Sequence, residues 1–347
     1  AHYDGDSFVC LESVTAHTDA ELEKAIRGIA KAAPIRNLFL KCGVYCCENA
    51  SLPVSVICNR AFLALNSIKD DMNHAVARFD DPINQRICRE RDMEARFEDA
   101  LQNLEFVVWY QPKFDVRTER MVGAEALVRW RKQDGMVVSP GEFILLFERD
   151  GLIIRLDEFV FRRVCRIQKK LLAQFGSVFP ISVNLSRNSL HYPGMIERYA
   201  RIVAEEELEA KCVPIELTES AEQQMIQIKD LAQKMVELGF PLHMDDFGAG
   251  YSSLNMLKSL PVETIKLDRG FFNEVIVTSR GKTVVAHTIS LAKALNIDVI
   301  AEGVENREQT EFLLGAGCSL AQGYYYSPPV SATEFEIMAF EKKYLRP

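Results

Sequence analysis

The sequence lacks an apolar run of the roughly 18 residues that a helix needs to cross a bilayer, and its N-terminus lacks a signal-peptide pattern. We therefore expect no membrane segment in this chain and a cytoplasmic location. The nine cysteines include no CxxC pair, and their only cluster is Cys42, Cys46 and Cys47. This usage argues against a disulfide framework and favours reduced thiols. A zinc site at the cluster is not expected, because the spacing is wrong and no histidine lies near.

A basic excess is also absent. The chain has 49 Asp and Glu residues against 41 Lys and Arg residues, which gives a net charge of -8. Proteins that hold duplex nucleic acid by its phosphates normally carry a basic excess or a basic stripe, so we expect no duplex nucleic-acid partner. An anionic ligand would need local help from metal ions and a few placed basic residues.

The chain is long enough for two units. It has 347 residues, of which 48% are hydrophobic. In residues 1–81 strand-like and helical segments alternate, but they are too few to close a domain, so this segment is predicted to be a partial α/β domain. Residues 82–104 carry apolar side chains at near-helical spacing among many charges, which predicts a connecting helix. Residues 105–347 form the second predicted unit.

The second unit has a regular pattern of alternating strand-like runs and helical stretches. The strand-like runs lie near residues 106–110, 121–130, 179–185, 213–218, 240–246, 262–267, 297–301 and 318–323. Eight strands with intervening helices predict a (β/α)8 barrel of the TIM type, whose active sites lie at the C-terminal ends of the strands.

Polar side chains fall where an active site of such a barrel would lie. Asp245 and Asp246 end an apolar run, and two neighbouring carboxylates repel each other unless a cation sits between them. Other strand-like segments carry Glu125, Asn184, Glu216, Lys266 and Glu302. Oxygen donors from separate strands, together with one lysine, are typical of a divalent-metal site that cleaves phosphate esters. If these residues only capped helices or turns, a polar residue would have to fall by coincidence at the same place on each of these strands.

A second interpretation of these residues is a metal-dependent barrel enzyme that acts on a carboxylate substrate, with Lys266 as its base. The adjacent pair Asp245 and Asp246 favours two ions over the single ion that such a site needs. His243 lies two residues before Asp245 and is predicted to be a packed histidine and not a metal ligand.

Ordered motifs across residues 104–340 resemble the EAL-domain family of cyclic di-GMP phosphodiesterases. They are Tyr110-Gln-Pro, Glu125-Ala-Leu-Val-Arg-Trp, Asn184-Leu-Ser, Glu216-Leu-Thr-Glu-Ser, Asp245-Asp-Phe-Gly-Ala-Gly-Tyr-Ser-Ser-Leu, Ile265-Lys-Leu-Asp, Ala301-Glu-Gly-Val-Glu and Gln322-Gly-Tyr. No acidic position of this set is substituted. Leu145 and Phe147 depart from the family pattern, because they replace a proline and an alanine often seen there.

This resemblance implies hydrolysis of cyclic di-GMP to linear pGpG, which lowers the level of a second messenger. It implies two Mg²⁺ or Mn²⁺ ions and the metal ligands Glu125, Asn184, Glu216, Asp245, Asp246 and Glu302. Lys266, Glu302 and Glu125 are the implied catalytic residues, and Lys266 would orient or deprotonate the attacking water or balance charge. The implied substrate contacts are Gln111, Leu127, Arg129 and Gln322.

The resemblance further implies that Glu219 stabilises the glycine-rich loop of residues 247–253 and that the chain forms a homodimer through the EAL domain. The alternative function is a catalytically silent receptor that binds cyclic di-GMP without cutting it. Receptors of this kind usually lack some of the acids, and the complete set here argues against that function.

Residues 1–81 resemble the C-terminal half of a GGDEF (diguanylate cyclase) domain, with lower specificity. Asp4-Gly-Asp-Ser-Phe occupies the motif position, and residues 60–69 resemble a late helix of that domain. Asp4 replaces a glycine, and Ser7 replaces an acid that the cyclase needs for metal binding. We therefore expect no cyclase activity and a structural or regulatory role for this degenerate half-domain.

Overall fold

A computed structural model of the chain describes residues 2–13, 18–34, 38–47, 51–69, 71, 74–218, 225–248, 253–275 and 278–340. The chain divides into two compact units, Ala1–Ala95 and Arg96–Pro347. This division falls within one long helix, Asp81–Gln102 (α3). The boundaries at residues 81 and 104 that the sequence suggests stay a prediction.

The first unit alternates short strands with helices, as the sequence predicts. Its elements before α3 are β1 (His2–Asp4), β2 (Ser7–Phe8), α1 (Asp19–Ala32), β3 (Cys42–Val44), α2 (Val54–Ser67) and β4 (Val76–Arg78). Strands β1 and β2 form an antiparallel hairpin, and β3 pairs with β4 in parallel. Helix α1 begins at a capping box, in which Thr18 and Glu21 satisfy each other's backbone N–H groups.

The second unit is a closed barrel of eight strands, which confirms the predicted fold class. The barrel strands are β5 (Phe106–Asp115), β6 (Arg120–Arg131), β8 (Ile181–Asn184), β9 (Ile215–Thr218), β10 (Leu242–Phe247), β11 (Thr264–Leu267), β12 (Asp298–Ala301) and β13 (Leu320–Ala321). Pairing of β5 with both β6 and β13 closes the ring. Two short strands, β7 (Val137–Val138) and β14 (Val330–Ser331), pair with β6 and β5, respectively.

Strand β5 departs from the all-parallel arrangement of a regular (β/α)8 barrel, because it runs antiparallel to both of its neighbours. The physical reason is the connection to β6, which is a turn of residues 116–119 with no helix. A tight turn can join only antiparallel strands, whereas parallel neighbours need a crossover connection. The remaining neighbours in the ring are parallel.

Helices separate most of the barrel strands, as the sequence predicts. They are α4 (Pro140–Arg149), α5 (Ile153–Phe175), α6 (Arg187–His191), α7 (Met195–Glu205), α8 (Met225–Glu237), α9 (Ser253–Ser259), α10 (Arg269–Val275), α11 (Ser279–Ala294), α12 (Arg307–Ala316) and α13 (Ala332–Phe340). Helix α8 buries Ile228 and Met235, and helix α11 buries Val285 and Ile289. None of the helices in the described ranges is both long enough and apolar enough to cross a membrane.

Alternation along the parallel strands separates the core from the barrel interior. Ile215, Leu217, Leu242 and Met244 are buried apolar residues in the core that the helices share. The positions between them carry polar side chains, because successive residues of a strand point to opposite faces of the sheet. Polar residues on neighbouring strands therefore share the inside of the barrel.

The two departures from the family pattern in α4 have different environments. Phe147 is fully buried and its ring lies 4.9 Å from that of Phe97, centroid to centroid, in a cluster completed by Phe106, Trp130 and Phe143. Leu145 is 70% exposed. The phenylalanine therefore belongs to the aromatic core, whereas the leucine contributes little to it.

A buried carboxylate organises the start of α6, directly after β8. Asp157 Oδ2 accepts hydrogen bonds from the backbone N–H and hydroxyl of Ser186, at 3.1 and 2.6 Å, and from the hydroxyl of Ser189 at 2.7 Å. Burial raises the pKa of Asp157 to about 6, although the hydrogen bonds from both serines lower it. The folded chain therefore favours the protonated carboxyl more than the unfolded chain does.

Asp157→Asn tests whether the pKa of the Asp157 carboxyl group is raised in the folded chain. Because the folded-state pKa of Asp157 is raised, its contribution to stability is complete below the unfolded pKa near 3.8 and is lost as the pH rises through about 6. Relative to the unaltered chain, the free energy of unfolding of the asparagine variant should rise by about 2 kcal/mol between pH 4 and pH 7. Urea titrations of both proteins across this range measure the difference. A difference that is independent of pH would contradict the assignment.

Candidate active site

Four carboxylates converge on the ammonium group of Lys266 inside the barrel. Lys266 Nζ lies 3.0 Å from Glu125 Oε2, 2.6 Å from Glu216 Oε2, 2.9 Å from Asp245 Oδ1 and 2.9 Å from Glu302 Oε1. These acids belong to β6, β9 and β10 and to the residue that follows β12. Closure of the barrel thus brings together residues that are far apart in the chain.

Burial makes this cluster electrostatically strong, because water screens it poorly. Burial lowers the pKa of Lys266, but Glu125, Glu216 and the other acids outweigh it and hold that pKa well above its ordinary value. Burial raises the pKa of Glu216, but the two ammonium groups beside it hold that pKa well below its usual range. For Asp245 and Glu302 burial prevails over Lys266 and raises the pKa to about 6 and about 8, respectively.

The second ammonium group beside Glu216 belongs to Lys113, a residue that sequence reasoning missed. Lys113 Nζ lies 2.9 Å from Glu216 Oε1 and donates a hydrogen bond to Ser182 Oγ at 2.6 Å. The available signal was a lysine within a largely apolar strand, two residues beyond Gln111 and therefore on the same face.

Amide side chains connect the cluster to the rest of the predicted site. Asn184 Nδ2 donates to Glu125 Oε1 at 2.9 Å, and Gln322 Nε2 donates to Glu125 Oε2 at 2.6 Å. Gln322 Nε2 also lies 3.3 Å from Gln111 Oε1. Glu125 is therefore held through both oxygens by residues that the sequence assigned to the same site.

Asp246 has an unusual backbone conformation. Its φ is 55°, in the left-handed region that residues other than glycine seldom adopt, although Asp and Asn tolerate it better than most. The register of β10 against β11 shifts between Met244 and Phe247, which indicates a bulge. A bulge interrupts the alternation of side chains, so Asp245 and Asp246 are not constrained to opposite faces. Backbone strain of this kind is typical of functional sites.

The donor set fits a divalent cation. One oxygen from each of the buried acids Glu125, Glu216 and Asp245 lies within 4.8 Å of the other two. In the described part of the chain, Gln322 Oε1 is buried without a hydrogen-bond partner, whereas Asp245 Oδ1 has the Lys266 ammonium group 2.9 Å away. Buried polar atoms are normally satisfied, so the amide oxygen of Gln322 is available to a ligand. Carboxylate and amide oxygens are the donors that Mg²⁺ and Mn²⁺ prefer.

The residues predicted to contact substrate share one cavity with the cluster. The cavity has a volume of about 240 Å³ and is lined by Gln111, Leu127, Arg129, Gln322 and Glu302, among others. Arg129 is half-buried, and its guanidinium carbon lies 5.8 Å from the centre of the Trp109 ring. A guanidinium in this position suits recognition of an anionic ligand group.

Arg269 and Glu305 also line this cavity and were not assigned from the sequence. Arg269 Nη2 lies 2.7 Å from Glu305 Oε1. Neither residue lies on one of the barrel strands, so the alternation of polar residues along the strands could not predict their place at the cavity. Glu305 offsets the positive charge of Arg269, so this pair adds little net charge to the wall of the cavity.

The structure describes His243 but not Glu219. His243 is buried, as expected for a packed histidine, and its Nδ1 lies 3.6 Å from Glu216 Oε1. Burial lowers its pKa, although Glu216 opposes the shift. Glu219 and residues 249–252 of the glycine-rich loop lie outside the described residues.

Comparison with known families identifies this arrangement. Residues 94–329 match the family described as the EAL domain, and this range contains the cluster, Lys113 and the cavity. The chain belongs to the EAL domain family. The match covers more than half of the chain, whereas the first 93 residues lie outside it.

Several proteins with assigned names are similar to this chain. PdeR of Escherichia coli, a cyclic di-GMP phosphodiesterase, is 31% identical over 99% of this chain and 52% of its own length. MucR of Pseudomonas aeruginosa, a bifunctional diguanylate cyclase and cyclic di-GMP phosphodiesterase, is 29% identical over 96% of this chain and 50% of its own length. The chain thus spans about half the length of the curated relatives it matches.

A solved structure supports the same relationship. The PaMucR phosphodiesterase in complex with c-di-GMP superimposes with a TM-score of 0.67 at 33% sequence identity. The superposition covers 70% of this chain and 99% of that chain. It therefore extends over nearly the whole of the PaMucR structure.

Lys266→Met tests whether the ammonium group holds the four carboxylates of the cluster together. Methionine keeps the length of the side chain but leaves buried carboxylates without their counter-ion. We expect the free energy of unfolding in metal-free buffer to fall by about 3–5 kcal/mol, measured by urea denaturation followed by circular dichroism.

Lys170→Met is the matched control, because it removes a lysine from an exposed pair with Glu336. An exposed pair contributes less than about 1 kcal/mol. Equal losses in the two variants would contradict a special role for the Lys266 ammonium.

Proposed function

We propose that this chain hydrolyses cyclic di-GMP to linear pGpG with two divalent cations, Mg²⁺ or Mn²⁺, and thereby lowers the level of this second messenger. The observation that carries the proposal is the convergence of four carboxylates from separate strands beside a cavity lined by two arginines. The substrate class is supported by membership of the EAL family and by relatives named as cyclic di-GMP phosphodiesterases.

The cations would be held by Glu125, Asn184, Glu216, Asp245, Asp246 and Glu302. Bound Mg²⁺ or Mn²⁺ lowers the pKa of a water ligand and neutralises charge on a phosphodiester. The chain contributes the preorganised donors, because Glu125 is fixed by Asn184 and Gln322 before any ligand binds. Preorganised donors do not have to reorient during the reaction.

Lys266 has three candidate roles in catalysis with Glu125 and Glu302: it could orient the attacking water, deprotonate it or balance charge. An ammonium group has no lone pair and cannot accept a proton. Contact with four carboxylates favours the charged form, so the structure supports charge balance and orientation over the role of base. The same contacts argue against the barrel enzyme with a carboxylate substrate, which needs Lys266 as its base.

The substrate would bind in the cavity that Gln111, Leu127, Arg129 and Gln322 line. Arg129 would contact a phosphate oxygen, because a guanidinium offers several N–H donors in a fixed plane. Gln111 would contact the ligand near a guanine. Glu302 lines the same cavity and contacts Lys266, so the reacting phosphodiester would lie between Arg129 and the carboxylate cluster.

Three further parts of the proposal concern the rest of the chain. The first unit would be a remnant of a GGDEF domain, with the β1–β2 hairpin at its motif position; Gly5 has a φ of 51° at the turn. The similarity to MucR, a bifunctional protein, extends over 96% of the chain and supports this origin. The EAL unit would form a homodimer, and Glu219 would stabilise the glycine-rich loop.

Turnover of cyclic di-GMP tests the proposal directly. We expect release of pGpG in the presence of Mn²⁺ or Mg²⁺, no release in EDTA, and a loss of turnover of about a hundredfold or more in Glu125→Gln. Chromatography of timed incubations measures the product. Glu311→Gln, which changes an exposed glutamate of α12, should retain full turnover.

The alternative functions give different results in the same experiments. Tight binding of cyclic di-GMP in calorimetry, without product under either metal, would indicate a receptor and remove the hydrolase. Turnover of a sugar acid, with no response to cyclic dinucleotides, would indicate the enzyme with a carboxylate substrate.

Arg129→Met tests the assignment of the phosphate contact. The variant should raise KM for cyclic di-GMP about tenfold or more, because a charge-assisted hydrogen bond is worth roughly 1.5–3 kcal/mol. Its Mn²⁺ affinity should be unchanged, since Arg129 is not among the donors of the cluster. Initial rates over a range of substrate concentrations measure KM. An unchanged KM would argue against this contact.

A further inference from the structure

Lys113 lies deeper in the barrel than the predicted metal ligand Glu125, towards the N-terminal ends of the parallel strands. In the pairing of β5 with β6, Gln111 is opposite Glu125 and Lys113 is opposite Gly123. Because Gly123 precedes Glu125 on β6, Lys113 is displaced towards the N-terminal ends of the parallel strands. It is 5% exposed and is not among the residues that line the substrate cavity.

The two oxygens of Glu216 are held by two different ammonium groups. Oε2 lies 2.6 Å from Lys266 Nζ, and Oε1 lies 2.9 Å from Lys113 Nζ. Rotation of the carboxylate about its last bond would break both contacts. Glu216 therefore has one orientation, and two lysines on opposite sides of the carboxylate set it.

Lys113 is itself fixed by a chain of hydrogen bonds. Its ammonium group donates to Ser182 Oγ at 2.6 Å, and Ser182 Oγ donates to the backbone carbonyl of Ala124 at 3.3 Å. Ala124 precedes Glu125 on β6. These hydrogen bonds connect Lys113, and through it Glu216, to the backbone next to Glu125, which is another predicted metal ligand.

We propose that Lys113 is a positioning residue for the metal site: it fixes the orientation of Glu216 and so prepares this carboxylate to bind a cation. This inference rests on the proposed function, because it concerns the same cations. Lys113 acts through Glu216 alone and does not contact the substrate. Residues that orient metal ligands in this way are typically worth a factor of 10–100 in metal affinity or activity.

The decisive variant is Lys113→Met, which keeps an unbranched side chain and removes the charge. Binding of Mn²⁺ is measured by electron paramagnetic resonance of the free ion, without substrate. We expect the dissociation constant for Mn²⁺ to rise at least about tenfold. With saturating Mn²⁺, kcat for cyclic di-GMP should fall while KM stays within about twofold, because no substrate contact is lost.

Two controls keep the result interpretable. Lys170→Met removes an exposed lysine from the outside of the barrel and should leave Mn²⁺ binding unchanged. If Lys113→Met does not fold, as judged by circular dichroism, Ser182→Ala decides the question. This change removes the acceptor that orients Lys113, together with the longer hydrogen bond from Ser182 to the carbonyl of Ala124, so it should weaken Mn²⁺ binding about fivefold, the factor of an ordinary hydrogen bond.

The outcomes separate this inference from the function on which it rests. If the unaltered chain does not bind Mn²⁺, the proposed function fails. If the unaltered chain binds Mn²⁺ and a folded Lys113→Met binds it equally well or more tightly, only the role of Lys113 is overturned. Equal Mn²⁺ binding by Ser182→Ala, where that variant decides, likewise overturns the role of Lys113.

Discussion

The ion cluster around Lys266 is the interaction on which the rest of this site depends. An ammonium group and several carboxylates are removed from water inside the barrel, and such burial is strongly unfavourable unless every charge has close partners. Lys266 meets this condition with four carboxylate oxygens at 2.6–3.0 Å, and Lys113 provides a second positive charge for Glu216. The partners come from separate strands, so only the closed barrel can satisfy the cluster.

The direction of β5 determines how the interior is arranged. Because this strand runs antiparallel to its neighbours, Gln111 lies opposite Glu125 beside the substrate cavity, whereas Lys113 lies one layer deeper. A reversed strand thus supplies a cavity residue and a buried counter-ion from two positions on one face. The bulge in β10 adds a second irregularity, at the two adjacent aspartates. Both departures from regular barrel geometry occur at the site.

The strands, the helices and the positions of the acids that meet at Lys266 could be predicted from the sequence, because each depends on local pattern. Strand alternation brings Leu127 and Arg129 to one cavity, and the polar ends of the strands contain the acids that contact Lys266. The roles of Lys113 and Arg269 were not predicted from the sequence, because the positions of these residues depend on strand register and on the packing of distant segments. The left-handed conformation of Asp246 was also beyond reach, since a bulge depends on the pairing of two strands and not on one strand alone.

The most direct measurement of the central claim is anomalous diffraction at the manganese edge from crystals of this chain equilibrated with Mn²⁺. We expect two peaks, one among the oxygens of Glu125, Asn184, Glu216 and Asp245, and a second beside it within reach of Asp246. Lys266 should stay among the carboxylates. A map without a peak among these side chains, in a protein with an intact barrel, would show that they do not form a metal site.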